Sequence, residues 1–217
     1  MADRPVFVPN KTKIAFIREI PIEFKWVAGM SVSQKQKSID SLHTAIQQRG
    51  ITKVLEISSK SRTPLGVSLS AFNLTIPNNG RNLSVEVVFQ ASKRFERGGP
   101  YTDILAMTSR EAKADPRLRD SGALVSFELN GDPWPLTPMT AFYDWLYLHA
   151  LRAHPDLATQ LLEYGGFTDI EFNPEKSLNC QARSAALFVS LSKEGLVDAA
   201  LSNKQSYFQV LKSGVAA

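Results

Sequence analysis

Two hydrophobic periods interleave irregularly along this chain, and their order constrains the fold more than any single residue. Over residues 14–26 the even positions are mostly apolar (Ile14, Phe16, Ile20, Ile22, Phe24, Trp26), the two-residue period of a half-buried strand. Pro21 inside it implies a sheet edge or a bulge. Residues 33–49 switch to helical spacing with Ile39, Leu42 and Ile46, and Gly50 is a natural stop. Residues 54–57 and 67–76 read as strands around the polar loop Ser58-Ser59-Lys60-Ser61-Arg62, whose hydroxyls and cations suit a phosphate. Ser84 is an N-cap for a helix running to residue 96, closed by Gly98-Gly99-Pro100. Thr108-Ser109-Arg110-Glu111 is a capping box for a short helix, and residues 124–129 form a strand ending at the Asn130-Gly131 turn. After Pro138 an apolar helix runs through Phe142, Leu146, Ala150 and Leu151, and Pro155 opens another that stops at Gly165-Gly166. Residues 168–172 are a short strand candidate and 182–191 are helical. Strands and helices in no regular order predict an α+β class, mostly helical around a small mixed or antiparallel sheet. The whole span 1–217 reads as one domain, with 1–50 a strand-plus-helix N-terminal elaboration.

Composition narrows the setting. With 43% hydrophobic residues a sizeable core can form. The single cysteine, Cys180, cannot make an internal disulfide, no stretch reaches the roughly 18 apolar residues of a membrane span, and residues 1–10 lack a signal-peptide core. A cytoplasmic protein without membrane partners is expected. The 25 Lys and Arg exceed the 21 Asp and Glu only slightly, which permits a polyanionic partner without requiring one. The histidines His43, His149 and His154 have no metal-ligand spacing, and neither a G-x-G-x-x-G nor a Walker A motif occurs, so no metal or cofactor is expected.

Chemistry concentrates in two segments. In Ser84-Val85-Glu86-Val87-Val88-Phe89-Gln90-Ala91-Ser92-Lys93, residues 86, 90 and 93 stand at i, i+4 and i+7, so one helix face would carry a carboxylate, an amide and an amine among apolar neighbours. Such a stripe faces solvent, a buried network or a cleft, and the pattern alone leaves all three open. In residues 168–181, Asp169 and Glu171 would share one side of a strand, followed by a turn rich in amides and hydroxyls that either caps the next helix or holds a ribose or phosphate. Trp134, Phe142, Tyr143 and Trp145 are core aromatics or a base-stacking platform.

At these residues the chain resembles the NADAR (YbiA-like) family, associated with NAD and ADP-ribose metabolism. Leu69-Ser70-Ala71-Phe72-Asn73 is similar to its L-S-N-F element, and Ser84-x-Glu86-x-x-Phe89-Gln90-Ala91-x-Lys93 to its S-x-E-x-x-F-Q-A-x-K helix. Ala150-Leu151-Arg152-Ala153 followed by Pro155-Asp156-Leu157 resembles its A-L-R-A-K-F segment and successor. Within the family the likeness is greatest to the antitoxin partners of DarT-type toxins, which ADP-ribosylate guanine in DNA. It is carried by Gln34-Lys35-Gln36-Lys37-Ser38, residues 55–61, Gly98-Gly99-Pro100-Tyr101, residues 142–147 and residues 167–181. Where many members have an acidic residue, a tryptophan and a glycine-rich turn, this chain has Asn173-Pro174-Glu175-Lys176-Ser177-Leu178-Asn179, and only Glu171 and Asn179 carry over.

The resemblance implies a single NADAR-like domain that removes ADP-ribose from guanine in DNA. Such an N-glycosidase needs no cofactor and serves as antitoxin to a DarT-type toxin. Breaking an N-glycosidic bond passes through an oxocarbenium-like state, which needs a carboxylate near the developing cation and an acid near the leaving nitrogen. Glu86 is the first candidate carboxylate; Asp169 or Glu171 would orient ribose hydroxyls or activate water. Lys93 either holds a phosphate or attacks the anomeric carbon to form a Schiff base. Trp134 or Trp145 would stack a base, and Lys60 with Arg62 would neutralise the diphosphate. Ser58, Ser70, Phe72, Asn73, Gln90, Asn173, Ser177, Asn179 and Gln181 complete the expected substrate contacts, with Lys35 and Lys37 on DNA. Expected partners are ADP-ribosylated DNA, ADP-ribose as product and the cognate toxin, with direct toxin contact left open. Two other readings compete: a noncatalytic reader of ADP-ribosylated DNA or toxin-sequestering protein, and a glycosidase acting on a free nucleotide metabolite.

Overall fold

A computed structural model describes residues 1–10, 15–78, 80–174 and 180–213. The contacts divide the chain into two compact units, Met1–Ser70 with His154–Ala217, and Ala71–Ala153. In chain order the first unit supplies β1 (Ala2–Pro9), β2 (Ile17–Phe24), α1 (Val32–Gln47), β3 (Val54–Glu56) and α2 (Pro64–Ser68). The second holds β4 (Thr75–Asn78), β5 (Arg81–Ser84), α3 (Val85–Ala91), β6 (Lys93–Phe95), a 3-10 turn at Thr102–Ala106, α4 (Ser109–Ala114), α5 (Arg117–Asp120), β7 (Leu124–Leu129), β8 (Asp132–Trp134) and α6 (Ala141–Ala153). The chain then returns to the first unit with α7 (Pro155–Leu161), β9 (Gly166–Thr168), α8 (Gln181–Lys193), α9 (Val197–Ala200) and α10 (Lys204–Ser213). The class is α+β, with helix the larger share at 44%.

The sheet of the first unit runs β2-β1-β9-β3, with β3 and β9 parallel and the other pairs antiparallel. Pro21 sits on the edge strand β2, opposite Pro5, where a missing N–H costs no ladder bond. Helix α1 starts at the capping box of Ser31 and Gln34 and buries Ile39, Leu42 and Ile46 against Val6, Ile22, Phe24 and Ile170. Each such side chain contributes about 2 kcal/mol of transfer free energy. In the second unit β6-β7-β8 form an antiparallel sheet and β4-β5 a hairpin. Asn130 and Gly131, both at positive φ, make the tight turn between β7 and β8. Every residue of α3 is buried, and its Phe89 packs on Phe127, Phe142 and Tyr143.

Three expectations change. Residues 67–76 are not one strand: Thr63 caps the Gly66 amide and Pro64 opens α2, so the stretch begins as helix and only Thr75–Asn78 is extended. The helix from Ser84 stops at Ala91 rather than 96, because residues 93–95 are claimed by β7 and Ser92 Oγ donates to the Val88 carbonyl at 2.8 Å. Residues 168–172 are not a strand; β9 is Gly166–Thr168, and Asp169 and Glu171 lie in the turn after it, one buried and one exposed.

Candidate active site

In the second unit the Ser84 side chain accepts from the Val87 amide, fixing the start of α3 one residue before the chemistry begins. Glu86 and Gln90, one turn apart, are each only 6% exposed, and Gln90 Nε2 donates to Glu86 Oε1 at 2.9 Å. That bond orients the amide, and Gln90 Oε1 is a buried acceptor without a hydrogen-bond partner among the described residues. Lys93 follows on β6, its ammonium 4.8 Å from the centre of the Phe89 ring. Burial pushes its amine below the ordinary lysine range; the Glu86 charge opposes the shift and Lys113 adds to it. A mostly buried lysine beside a carboxylate and an amide has the makings of an activated amine. Gly99 fixes the backbone here: at φ +81 it passes so close to the Lys93 carbonyl that an added Cβ would stand 2.3 Å from the oxygen.

The first unit holds a different cluster. Glu56, at the end of β3, is 2% exposed. It accepts from Ser58 Oγ (2.7 Å) and the Ile170 amide (2.8 Å) on Oε1, and from Thr168 Oγ1 (2.7 Å) on Oε2. Since Thr168 gives its one proton to Glu56, its oxygen accepts from His43 Nε2 at 2.9 Å, which places the ring proton on Nε2. Burial holds His43 down at about 4, so the ring is neutral at pH 7. Asp169 lies in the same cluster, hydrogen-bonded to the Glu171 amide and the Gln181 side chain. Burial first, and the charge of Glu56 second, push Asp169 up to about 8. Burial raises Glu56 as well, while its three donors favour the charged form.

The remaining expected residues scatter. Ser58 is spent on Glu56, and Gln181 Nε2 donates to the Ile57 carbonyl. Lys60 is half-buried, and its amide bonds to Ser58 Oγ. The Arg62 fork is closed on Asp40 at 2.7 and 2.6 Å, not open to a diphosphate. Lys35 pairs with Glu171 at 3.2 Å and lies over the Trp26 ring, so its ammonium is engaged within the protein, whereas Lys37 is exposed. Ser70 is buried, Asn173 half-buried, Phe72 half-buried and Asn73 exposed. Trp134 is 2% exposed between Phe142 and Trp145 and belongs to the core; half-buried Trp145 also touches His149, with ring centres 4.2 Å apart. Ser177 and Asn179 lie outside the described residues. Glu56, His43 and Lys113 have no place among the residues singled out by sequence. Only the stretch 55–61, which contains Glu56, carried any signal, through its family likeness.

No curated protein matches this sequence. The family model for the DarT1-associated NADAR antitoxins, in contrast, spans residues 2–216, and it carries both the Glu86 segment and the Glu56 and Asp169 cluster within one match. The chain belongs to the DarT1-associated NADAR antitoxin family.

Proposed function

We propose that this chain is a cytoplasmic hydrolase that removes ADP-ribose from guanine in DNA, and that in this way it acts as antitoxin to a DarT-type toxin. The single observation that carries the reading is the juxtaposition of Glu86, Gln90 and the buried amine of Lys93. An amine with lowered proton affinity, next to a carboxylate whose other oxygen is free of Gln90, fits exchange at the N,O-acetal carbon of an N-glycoside. The Lys93 nitrogen lone pair attacks the anomeric carbon as the bond from that carbon to the guanine amine breaks. Glu86 takes the proton that Nζ sheds and returns it to the departing nitrogen, so guanine leaves with its amino group restored. Water then cleaves the Nζ–carbon bond, directly or through the ring-opened imine, releasing ADP-ribose and regenerating the lysine.

Purified protein mixed in catalytic amount with an oligonucleotide bearing ADP-ribosylated guanine should release free ADP-ribose over many turnovers. Borohydride added during the reaction should trap ADP-ribose on Lys93 by peptide mapping. Tight binding without release would instead mark a noncatalytic reader. Release from a free nucleotide but not from the oligonucleotide would mark a metabolic glycosidase. If no adduct forms and Lys93→Arg stays active, the lysine serves as a charge only.

A further inference from the structure

Lys93 is asked to do two incompatible things if it is the only cation of its cluster: an amine that attacks carbon must shed its proton, while one that binds phosphate must keep it. A second lysine stands nearby. Lys113, near the end of α4, places its ammonium 5.2 Å from the centre of the Phe72 ring and disfavours the charge on Lys93. Its place is fixed by a relay of hydroxyls. Ser109 donates to the Phe72 carbonyl at 3.0 Å, so the 2.7 Å contact between Ser109 and Ser84 must use the Ser84 proton. The N-cap of α3, the first turn of α4 and the Phe72 backbone are thereby tied together, and Lys113 stands one turn beyond Ser109 on the same face of α4. Unlike Arg94, held by Glu128, and Arg117, held by Asp103 and Asp115, Lys113 has no carboxylate within ion-pair distance among the described residues. It is exposed where Lys93 is largely covered.

We propose that the two lysines divide the work: Lys113 is a positioning residue that takes a phosphate of the ligand, leaving the buried Lys93 amine for the anomeric carbon. This rests on the hydrolase reading above and assigns its diphosphate contact. Of the charges that act on Lys93 one is the Glu86 carboxylate and one the Lys113 ammonium, a balance with Lys93 itself that an anion on Lys113 completes, and the Phe72 ring beneath Lys113 keeps the cation from folding away. An anion on Lys113 also relieves the repulsion between the two lysines.

The test compares the full-length protein with Lys113→Met, which keeps the stem over Phe72, and Lys113→Arg, which keeps the charge. Calorimetric titration with ADP-ribose and with inorganic pyrophosphate should weaken at least about 10-fold in Lys113→Met, with a shallower dependence on salt, and be largely restored in Lys113→Arg. At saturating modified oligonucleotide, borohydride should still trap ADP-ribose on Lys93 in Lys113→Met. The rising limb of its kcat against pH should move to higher pH, because Lys93 regains its proton when the neighbouring charge is removed. Unchanged ADP-ribose affinity and salt dependence in Lys113→Met would overturn the proposal, as would loss of the Lys93 adduct at saturation. Binding is read without turnover. A wild type that binds ADP-ribose through Lys113 yet hydrolyses nothing therefore sinks the hydrolase reading and leaves the phosphate contact standing.

Discussion

Each unit of the molecule buries ionisable side chains, but the two clusters treat them differently. Around Glu56 each hydrogen-bonding atom has a use: three donors meet the carboxylate, Thr168 both gives and receives, and His43 closes the chain. Around Glu86 the wiring is incomplete among the described residues, since the carboxylate has one amide donor, Gln90 keeps a buried oxygen without a hydrogen-bond partner, and Lys93 feels both the Glu86 carboxylate and the Lys113 ammonium. A closed network stabilises and orients. An open one costs stability and keeps its polar atoms available for a ligand. Perturbed proton affinity occurs in both, at Asp169 and at Lys93, so perturbation alone does not tell a scaffold from a reactive site. The unused hydrogen-bonding capacity does.

Substitutions can break this contrast. The largest expected effect is on catalysis: Glu86→Gln should lower hydrolysis by about 100-fold or more while leaving thermal stability and ADP-ribose affinity near wild type. Steady-state turnover on the modified oligonucleotide reads this, and wild-type-like turnover removes Glu86 from the chemistry. Next, Glu56→Ala should act on the fold, stranding three buried donors and costing about 3 kcal/mol or more in denaturant unfolding. A Glu56→Ala protein of unchanged stability would mean that the network is not structural.

The third prediction concerns pH. Asp169 titrates near 8 in the fold and near 3.8 when unfolded, so the folded state holds the extra proton between these values. Its contribution to stability is complete at acid pH and is lost as pH rises through about 8. His43 runs the other way, with its contribution present above 6.5 and lost as pH falls through about 4. Between pH 6.5 and 8 only the Asp169 trend is active of these two. The stability of Asp169→Asn relative to wild type should therefore rise over that interval, and a constant difference in urea midpoints would show that Asp169 is ionised throughout. The smallest effect is expected on DNA. With Lys35 committed to Glu171, Lys37→Ala should reduce the slope of log affinity against log salt by about one, and Lys35→Ala should leave it nearly unchanged. Equal changes in both variants would place Lys35 on the DNA after all.

What was legible in the sequence was local. The Ser84 cap, the Thr108 capping box, the Asn130-Gly131 turn and the buried stripe of α1 depend on residues within a turn or two of one another, and all are present. Residues 67–76 look like a strand because Val, Leu and Ile recur, yet Thr63-Pro64 is a helix-start signal that outweighs them. The end of α3 could not be placed, because what stops it is pairing with β7, some thirty residues away. The same limit hides Glu56, His43 and Lys113. Each is an unremarkable charged or polar residue in its own segment and gains meaning only from Ile170 and Thr168, or from Lys93 and Phe72, brought to it by the fold.

The parallel pairing of β3 with β9 bears on how the protein is made. Glu56 lies beside Thr168, so the strand that joins β3 to the rest of the first unit's sheet is synthesised only after the entire second unit. Residues 71–153 are contiguous and can collapse early; β1, β2 and α1 can pair among themselves, but β3 and the second edge of β1 must wait for β9, more than a hundred residues downstream. A chain interrupted before β9 therefore exposes unpaired strand edges, a target for proteolysis and aggregation.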